Sequence, residues 1–335
     1  MGLLYELSTK YKTISIVGMA KNSGKTTALN YFIEEAMDEE ILLGITSTGR
    51  DGESTDLVTG TNKPKVFLET GTIVSVPTKL YDLAEAGLEI LRMTKYHTSI
   101  GQLMLCKVVE SGYVQIAGPV STAEHKLLCQ DMFELGAELV LIDGAIDRKS
   151  IAAPETSDAV ILATGAVLSR NMKKVAEETA HVIGLYRLPL LKDKEIKEKL
   201  SNQETLCVVR NGEIVDLDLK TGLIASKYLD QAITDDTQYL FVPGALTESV
   251  LSGISPSKFK STKIVLKDPT KIFIDAISWN KLKKLGLEAE VLQNIEIAAV
   301  TVNPYAPQGY IFEKEALLTA VQEKIPDITV IDVRL

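Results

Sequence analysis

An apolar run, a glycine-bounded loop and a helical pattern follow one another between residues 13 and 36. The run TISIVG (13–18) predicts a short buried strand. The stretch after Lys25 places Ala28, Phe32 and Ala36 on one face, which predicts an amphipathic helix. A strand that enters a helix through a tight polar loop is the βα unit of a parallel sheet.

The loop has the residue types of a phosphate-binding loop. A glycine lets backbone N–H groups approach phosphate oxygens, and the start of a helix adds partial positive charge. Lys25 can reach the β- and γ-phosphates of a nucleotide, and the Thr26 hydroxyl can ligate Mg²⁺. The residues predicted to hold the nucleotide are Gly18, Lys21, Asn22, Ser23, Gly24, Lys25, Thr26 and Thr27.

The spacing of this loop departs from the common G-x-x-x-x-G-K-[ST] form. Five residues separate Gly18 from Gly24, and Met19 stands where the common form has its first glycine. This spacing resembles the loop of dethiobiotin synthetase and the cobyrinic acid amide synthases, which are P-loop NTPases of the class that includes MinD. Lys21 is similar to the additional lysine of that class, but lies four residues before Lys25 instead of five. A solvated or phosphate-steering charge is the other interpretation of Lys21.

A second apolar run, VLIDGA (140–145), ends in an acid followed by glycine. It is similar to the strand of dethiobiotin synthetase that supplies a metal-coordinating carboxylate, and this resemblance implies a Mg²⁺ ligand and catalytic role for Asp143. An acid that marks an ordinary turn is the alternative. Asp147 and Arg148 follow the same strand, and we expect them to contact either substrate or a partner subunit.

The segment STGRDGESTD (47–56) follows the second predicted strand and is rich in charge beside glycines. In the resembling class this position carries an acid that contacts Mg²⁺ or orients an attacking group. Asp51 is the first choice for that catalytic and metal-binding role and Glu53 the second, while Arg50 is placed to stabilise phosphate charge. A solvated connection between two elements remains the alternative.

Strands and helical patterns alternate along the whole chain, which predicts an α/β fold with a mostly parallel sheet flanked by helices. We expect a P-loop nucleotide-binding domain over 1–192 and a smaller C-terminal α/β domain over 205–335 for partner or substrate binding. The charged stretch 191–205 is the candidate boundary, although a solvated helix inside one domain gives the same pattern. The Pro-, Gly- and Tyr-rich segment 300–312 predicts a partner surface, a lid or a packed connection.

Composition narrows the classes of function. A formal net charge of -9 disfavours a protein that coats nucleic acid. Apolar stretches fall short of the ~18 residues that a membrane span needs, and the first residues lack the apolar core of a signal peptide. Three scattered cysteines and three isolated histidines predict neither a disulfide framework nor a zinc cluster. We therefore expect a cytoplasmic protein, and the glycine loop with its resemblance to P-loop NTPases implies ATP and Mg²⁺ as its ligands.

Three functions remain open. The whole-chain pattern resembles a reactivating subunit that serves adenosylcobalamin-dependent lysine 5,6-aminomutase beside a MutS-like ATPase partner, which implies an ATP-driven regulatory or reactivating factor. Dethiobiotin synthetase-like chemistry implies instead a ligase or kinase that activates a small carboxylate. A catalytically silent nucleotide-binding scaffold is the third. A GTPase is disfavoured because TNKPK has Lys65 where guanine readout by N-K-x-D needs an aspartate. The resembling class often builds its site at a dimer interface, which implies a homodimer.

Overall fold

The structure, a computed structural model, describes residues 2–48, 65–119, 121–144, 157–217 and 228–333. The chain forms two compact units, one made of 1–179 with 297–335 and the other of 180–296. Residues 297–335 therefore belong to the first unit, whereas the sequence pattern predicted that they form part of a C-terminal domain.

Most strands are short, and the parallel strands of the first unit are mostly buried. The strands are β1 Thr13–Gly18, β2 Leu43–Ser47, β3 Val66–Leu68, β4 Ile73–Pro77, β5 Gly87–Thr98, β6 Gly101–Glu110, β7 Gly112–Val114, β8 Leu139–Asp143, β9 Ala159–Gly165, β10 Cys207–Arg210, β11 Glu213–Asp216, β12 Thr237–Val242, β13 Leu246–Thr247, β14 Lys263–Leu266, β15 Ile272–Phe273, β16 Ala289–Val291, β17 Ile297–Asn303 and β18 Val330–Asp332.

Helices connect many of these strands. They are α1 Leu3–Lys10, α2 Lys25–Asp38, α3 Thr78–Tyr81, α4 Thr122–Glu134, α5 Met172–Tyr186, α6 Lys194–Ser201, α7 Glu248–Leu251, α8 Ala276–Lys284 and α9 Lys314–Gln322, with 3₁₀ turns at Ala166–Leu168, Pro256–Lys260 and Pro269–Lys271.

The first unit is built on a nine-stranded sheet in the order β18-β17-β9-β1-β8-β2-β4-β6-β5. The strands from β18 to β4 are parallel, and β6 and β5 continue the sheet antiparallel. Continuous apolar strands of this kind need cover on both faces. Phe32 on α2 is fully buried, as the helical pattern of the sequence predicts. The mostly parallel α/β sheet is confirmed.

The register brings three strand ends together at the centre of this sheet. Ile16 of β1 pairs with Asp143 at the end of β8, and Gly18 pairs with Ala163 of β9 on the other side. The carboxyl ends of parallel strands share one edge, which is where open α/β sheets bind ligands.

Strands β17 and β18 explain why the observed units differ from the predicted domains. β17 pairs with β9, for example Val300 with Leu162, and β18 pairs with β17. A periodic pattern predicts a strand but does not specify its partner when that partner lies more than 100 residues away.

The predicted boundary at 191–205 lies inside the second unit, where it contains α6. Ile196 and Leu200 are buried, and the Asp193 carboxylate caps the helix by accepting from the Ile196 N–H at 3.1 Å. The charges of this stretch therefore form the solvated face of a helix, which is the alternative interpretation of the sequence.

The second unit contains a five-stranded sheet in the order β11-β10-β12-β14-β16, of which the last three strands are parallel. Its core includes Phe241, Val265 and Trp279. In the first unit, the strands on either side of Ser111 belong to different sheets, because β6 pairs with the preceding β5 and β7 pairs with β3.

Candidate functional site: a glycine loop at the sheet edge

The loop after β1 is held above the centre of the sheet by its own backbone. The Met19 N–H donates to the Ala163 carbonyl at 2.9 Å, and the Ser23 N–H donates to Ala20 at 3.2 Å. Asn22 has φ of 65° and Gly24 has φ of 101°, so two residues of the loop are left-handed. These conformations fold residues 19–24 into a tight turn that leads directly into α2.

The first turn of α2 leaves its backbone donors available. Gly24 is the N-cap, no side chain caps the helix, and the first turn has no acidic residue. The Ala28 N–H makes the first intrahelical bond, to Gly24 at 2.9 Å. The amides before it have no partner within the helix, and together with the helix dipole they favour an anion.

Lys25 projects from this turn toward the end of β8. Its Nζ lies 2.8 Å from Oδ1 of Asp143, and it donates a hydrogen bond to the Gly144 carbonyl. The two charged side chains are 16% and 21% exposed. Oδ1 of Asp143 has no aligned hydrogen-bond donor among the described residues, so the approach of Lys25 is an ion-pair contact. Each charge offsets part of the other's desolvation cost.

The backbone around Asp143 is fixed by both neighbouring strands. The Thr48 N–H donates to the Asp143 carbonyl at 3.0 Å, and the Gly144 N–H donates to the Ile16 carbonyl at 3.0 Å. The strand ladder therefore sets the position of the carboxylate relative to the loop, without help from side chains.

Asn303, at the end of β17, is a supporting residue that the sequence patterns did not indicate. Its Nδ2 donates to the Asn22 carbonyl at 3.3 Å, and its Oδ1 accepts from the Tyr305 N–H at 3.1 Å. A Cβ added to Gly24 would lie 2.8 Å from the Asn303 Cβ. Position 24 thus requires glycine for two reasons: its backbone is left-handed, and Asn303 lies too close to leave room for a Cβ. The sequence feature that could have indicated this role is an asparagine at the end of an apolar strand, directly before Pro304.

The aromatic segment after β17 packs onto the end of β9. The Tyr310 hydroxyl donates to the Ala166 carbonyl, and the Arg170 guanidinium lies 5.4 Å from the Tyr310 ring centroid. The Phe312 ring is 5.7 Å away, edge to face. These contacts agree with a packed connection, which is one of the three interpretations of segment 300–312.

Two buried polar side chains lie near this edge. The Ser23 hydroxyl is in the loop, and Ser23 is 1% exposed with no hydrogen-bond partner among the described residues. His125 of α4 is 3% exposed, and a Cβ on Gly118 would lie 3.0 Å from its Cε1. Burial lowers the pKa of His125 to about 4, against a smaller opposite effect of a backbone hydrogen bond at Pro119. The imidazole is therefore neutral at physiological pH.

The other predicted residues divide into two groups. Thr26 and Thr27 are half-buried in the first turn of α2, and Lys21 is exposed on the loop. The residues predicted from segments 47–56 and 143–158 that lie outside the described ranges are Arg50, Asp51, Glu53, Asp147 and Arg148. The structure thus brings together Lys25, Asp143 and the loop, and the roles of Asp51 and Glu53 stay predictions.

No group of three or more His, Cys, Asp or Glu side chains is arranged to hold a metal ion, within the ranges the structure describes. In the same ranges no helix is long and apolar enough to cross a bilayer. A site that binds Mg²⁺ through one carboxylate, one hydroxyl and nucleotide phosphates needs no such cluster.

Comparisons of the chain with protein-family models, with curated proteins and with solved structures found no match.

Proposed function

We propose that the chain binds Mg-ATP at the glycine loop, through Gly18 and residues 21–27, and hydrolyses it to regulate or reactivate a partner enzyme. The observation that carries the proposal is the placement of Lys25. Lys25 is the first residue of a helix that no side chain caps, and its ammonium contacts the Asp143 carboxylate and the Gly144 carbonyl at the end of β8. Uncapped amides, a cation and a carboxylate thus lie close together at the carboxyl edge of a parallel sheet, an arrangement that suits a polyphosphate.

The residues fit the expected ligands. A side chain at Gly24 would fill the turn and strike Asn303, so the loop keeps its backbone accessible where phosphate oxygens need it. Lys25 would neutralise the terminal phosphates, and the Thr26 hydroxyl and Asp143 carboxylate are the groups to hold Mg²⁺. When bound, Mg²⁺ supplies neutralisation of charge that develops on the phosphates during transfer.

The regulatory part of the proposal rests on two supports. The resemblance of the whole-chain pattern implies a factor that acts on a partner enzyme. The unit formed by 180–296 has its own sheet and core, so the chain contains a second body beyond the one that carries the loop. A ligase or kinase that activates a small carboxylate, and a silent scaffold, are the competing outcomes of the test below.

The test measures Mg-ATP binding by calorimetry and phosphate release by a coupled assay. We expect Lys25→Ala to lose binding and turnover, whereas Lys173→Ala, which removes an exposed lysine of α5, retains both. Wild-type binding and turnover in Lys25→Ala would refute the proposed site. ADP release that depends on a small carboxylic acid would show that the chain is a ligase or kinase instead of a regulatory factor. Mg-ATP binding without turnover under any condition would show that it is a catalytically silent scaffold.

A further inference from the structure

Residues 255–286 of the second unit are strongly basic within an acidic chain. They contain eight lysines and two aspartates, a net charge of +6, while the whole protein has a net charge of -9. Three of these lysines, Lys258, Lys263 and Lys267, form ion pairs with carboxylates outside the segment. The remaining lysines create a local field that attracts acidic surfaces and repels basic ones.

Helix α8 presents the exposed part of this region. Ile277 is 82% exposed, and Lys281 and Lys284 follow at the i+4 and i+7 positions, so the three side chains share one face. Neither lysine forms an ion pair with a described residue. Phe273, four residues before Ile277, is 52% exposed. We call Ile277, Lys281 and Lys284 the basic face.

Helix α2 of the first unit presents the complementary arrangement. Met37 is 57% exposed, and Glu34 and Asp38 lie beside it at i-3 and i+1 with both carboxylates exposed. We call Glu34, Met37 and Asp38 the acidic face. Each face thus has one exposed apolar side chain and two like charges within two helical turns, and the two faces have opposite sign.

The acidic face is unfavourable for an isolated molecule. It lies at the C-terminal end of α2, where the helix dipole is negative, and the last turn has no basic residue. Cations from another molecule would relieve this crowding of negative charge.

We propose that the basic face of one copy of the chain docks on the acidic face of a second copy. Ile277 and Met37 provide the apolar centre, and Lys281 and Lys284 pair with Glu34 and Asp38. Because every copy carries both faces, two copies can pair reciprocally about a two-fold axis, or one contact at a time can link successive copies. This association is independent of whether the loop binds ATP.

The test measures the mass of the full chain by analytical ultracentrifugation from about 1 to about 100 µM, a range that covers weak specific association. We expect association that weakens when the salt concentration rises from about 50 to about 500 mM, because exposed charges are screened. The double variant Lys281→Glu with Lys284→Glu and the double variant Glu34→Lys with Asp38→Lys should each weaken association by about tenfold or more.

Two comparisons make the result specific. An equimolar mixture of the two double variants should associate again, because the unchanged acidic face of the first variant meets the unchanged basic face of the second, and the two reversed faces are complementary as well. Lys283→Glu changes the same charge on another face of α8 and should associate as wild type does. A wild-type chain that stays monomeric at low salt, or a mixture that does not associate, overturns the proposal.

Loss of the fold is checked separately, since a circular dichroism melt should be nearly the same for the wild type and each variant. The rival occupant of the basic face is an anionic membrane. Flotation with vesicles of phosphatidylcholine and phosphatidylserine distinguishes it, because binding to these vesicles by a chain that does not self-associate would overturn the proposal.

Discussion

The Lys25 ammonium lies 2.8 Å from the Asp143 carboxylate, across the gap between the start of α2 and the end of β8. Lys25, which we expect to bind phosphate, is thus paired with Asp143, which we expect to bind Mg²⁺. In the proposed complex, nucleotide phosphates would compete with Asp143 for the lysine, and Mg²⁺ would compete with Lys25 for the carboxylate. We therefore expect the binding of nucleotide and the binding of metal to be interdependent.

Asp143→Asn tests that interdependence. Removing the carboxylate charge frees Lys25, so metal-free ATP should bind several-fold more tightly, as expected from about 1 kcal/mol for a partly exposed ion pair. The gain in affinity on adding Mg²⁺ should fall at the same time, because a metal ligand is lost. Calorimetric titrations with and without Mg²⁺ measure both effects. Unchanged metal response would assign the ligand role to another acid, with Asp51 the first to examine.

Gly24→Ala tests the geometry of the loop. The substitution places a Cβ at φ of 101° and 2.8 Å from the Asn303 Cβ. We expect a loss of at least about 1–2 kcal/mol in the free energy of unfolding and weaker ATP binding. The matched control is Gly309→Ala. Gly309 has φ of 86°, and an added Cβ there would have no atom within 4 Å, so this variant has the backbone strain of a left-handed alanine without a steric clash. Equal destabilisation by the two variants in denaturant titrations would show that Asn303 does not constrain the loop.

Asn303→Ala tests the support provided by β17. The substitution removes the hydrogen bond to the Asn22 carbonyl and leaves the Tyr305 amide without its side-chain acceptor. We expect about 1–2 kcal/mol of lost stability and several-fold weaker ATP binding, since the loop loses an anchor and not a phosphate ligand. Denaturant titration and calorimetry measure the two quantities. Full ATP affinity in a destabilised variant would restrict Asn303 to a purely structural role.

The lowered pKa of His125 predicts how the free energy of unfolding depends on pH. Its pKa is about 4 in the folded chain, below the ordinary value of 6.5. Between these values the unfolded chain binds more protons than the folded chain. The neutral imidazole therefore contributes about 3 kcal/mol to the free energy of unfolding above pH 6.5, and this contribution is lost as the pH falls toward 4. His125→Gln should show a smaller loss of unfolding free energy between pH 6.5 and 4 than the wild type. Parallel curves for the two proteins would contradict the buried neutral imidazole.

The local parts of the site follow from the sequence because they are set by neighbours in the chain. The apolar run of β1, the glycine before Lys25 and the apolar strand ending at Asp143 all lie where their patterns predict. The long-range parts do not follow from a pattern. Asn303 contacts a loop residue 281 positions earlier, and β17 enters the first sheet through pairing with β9. Such contacts depend on the order of strands, which local hydrophobic periodicity does not encode.

The most direct measurement of the central claim is a crystal structure of the chain with a non-hydrolysable ATP analogue and Mg²⁺. We predict that the triphosphate lies within hydrogen-bond distance of the backbone N–H groups at the start of α2, with Lys25 Nζ on a phosphate oxygen instead of on Asp143. An analogue bound elsewhere, or a loop that keeps the Lys25–Asp143 contact and excludes the phosphates at saturating concentration, would contradict the proposed site.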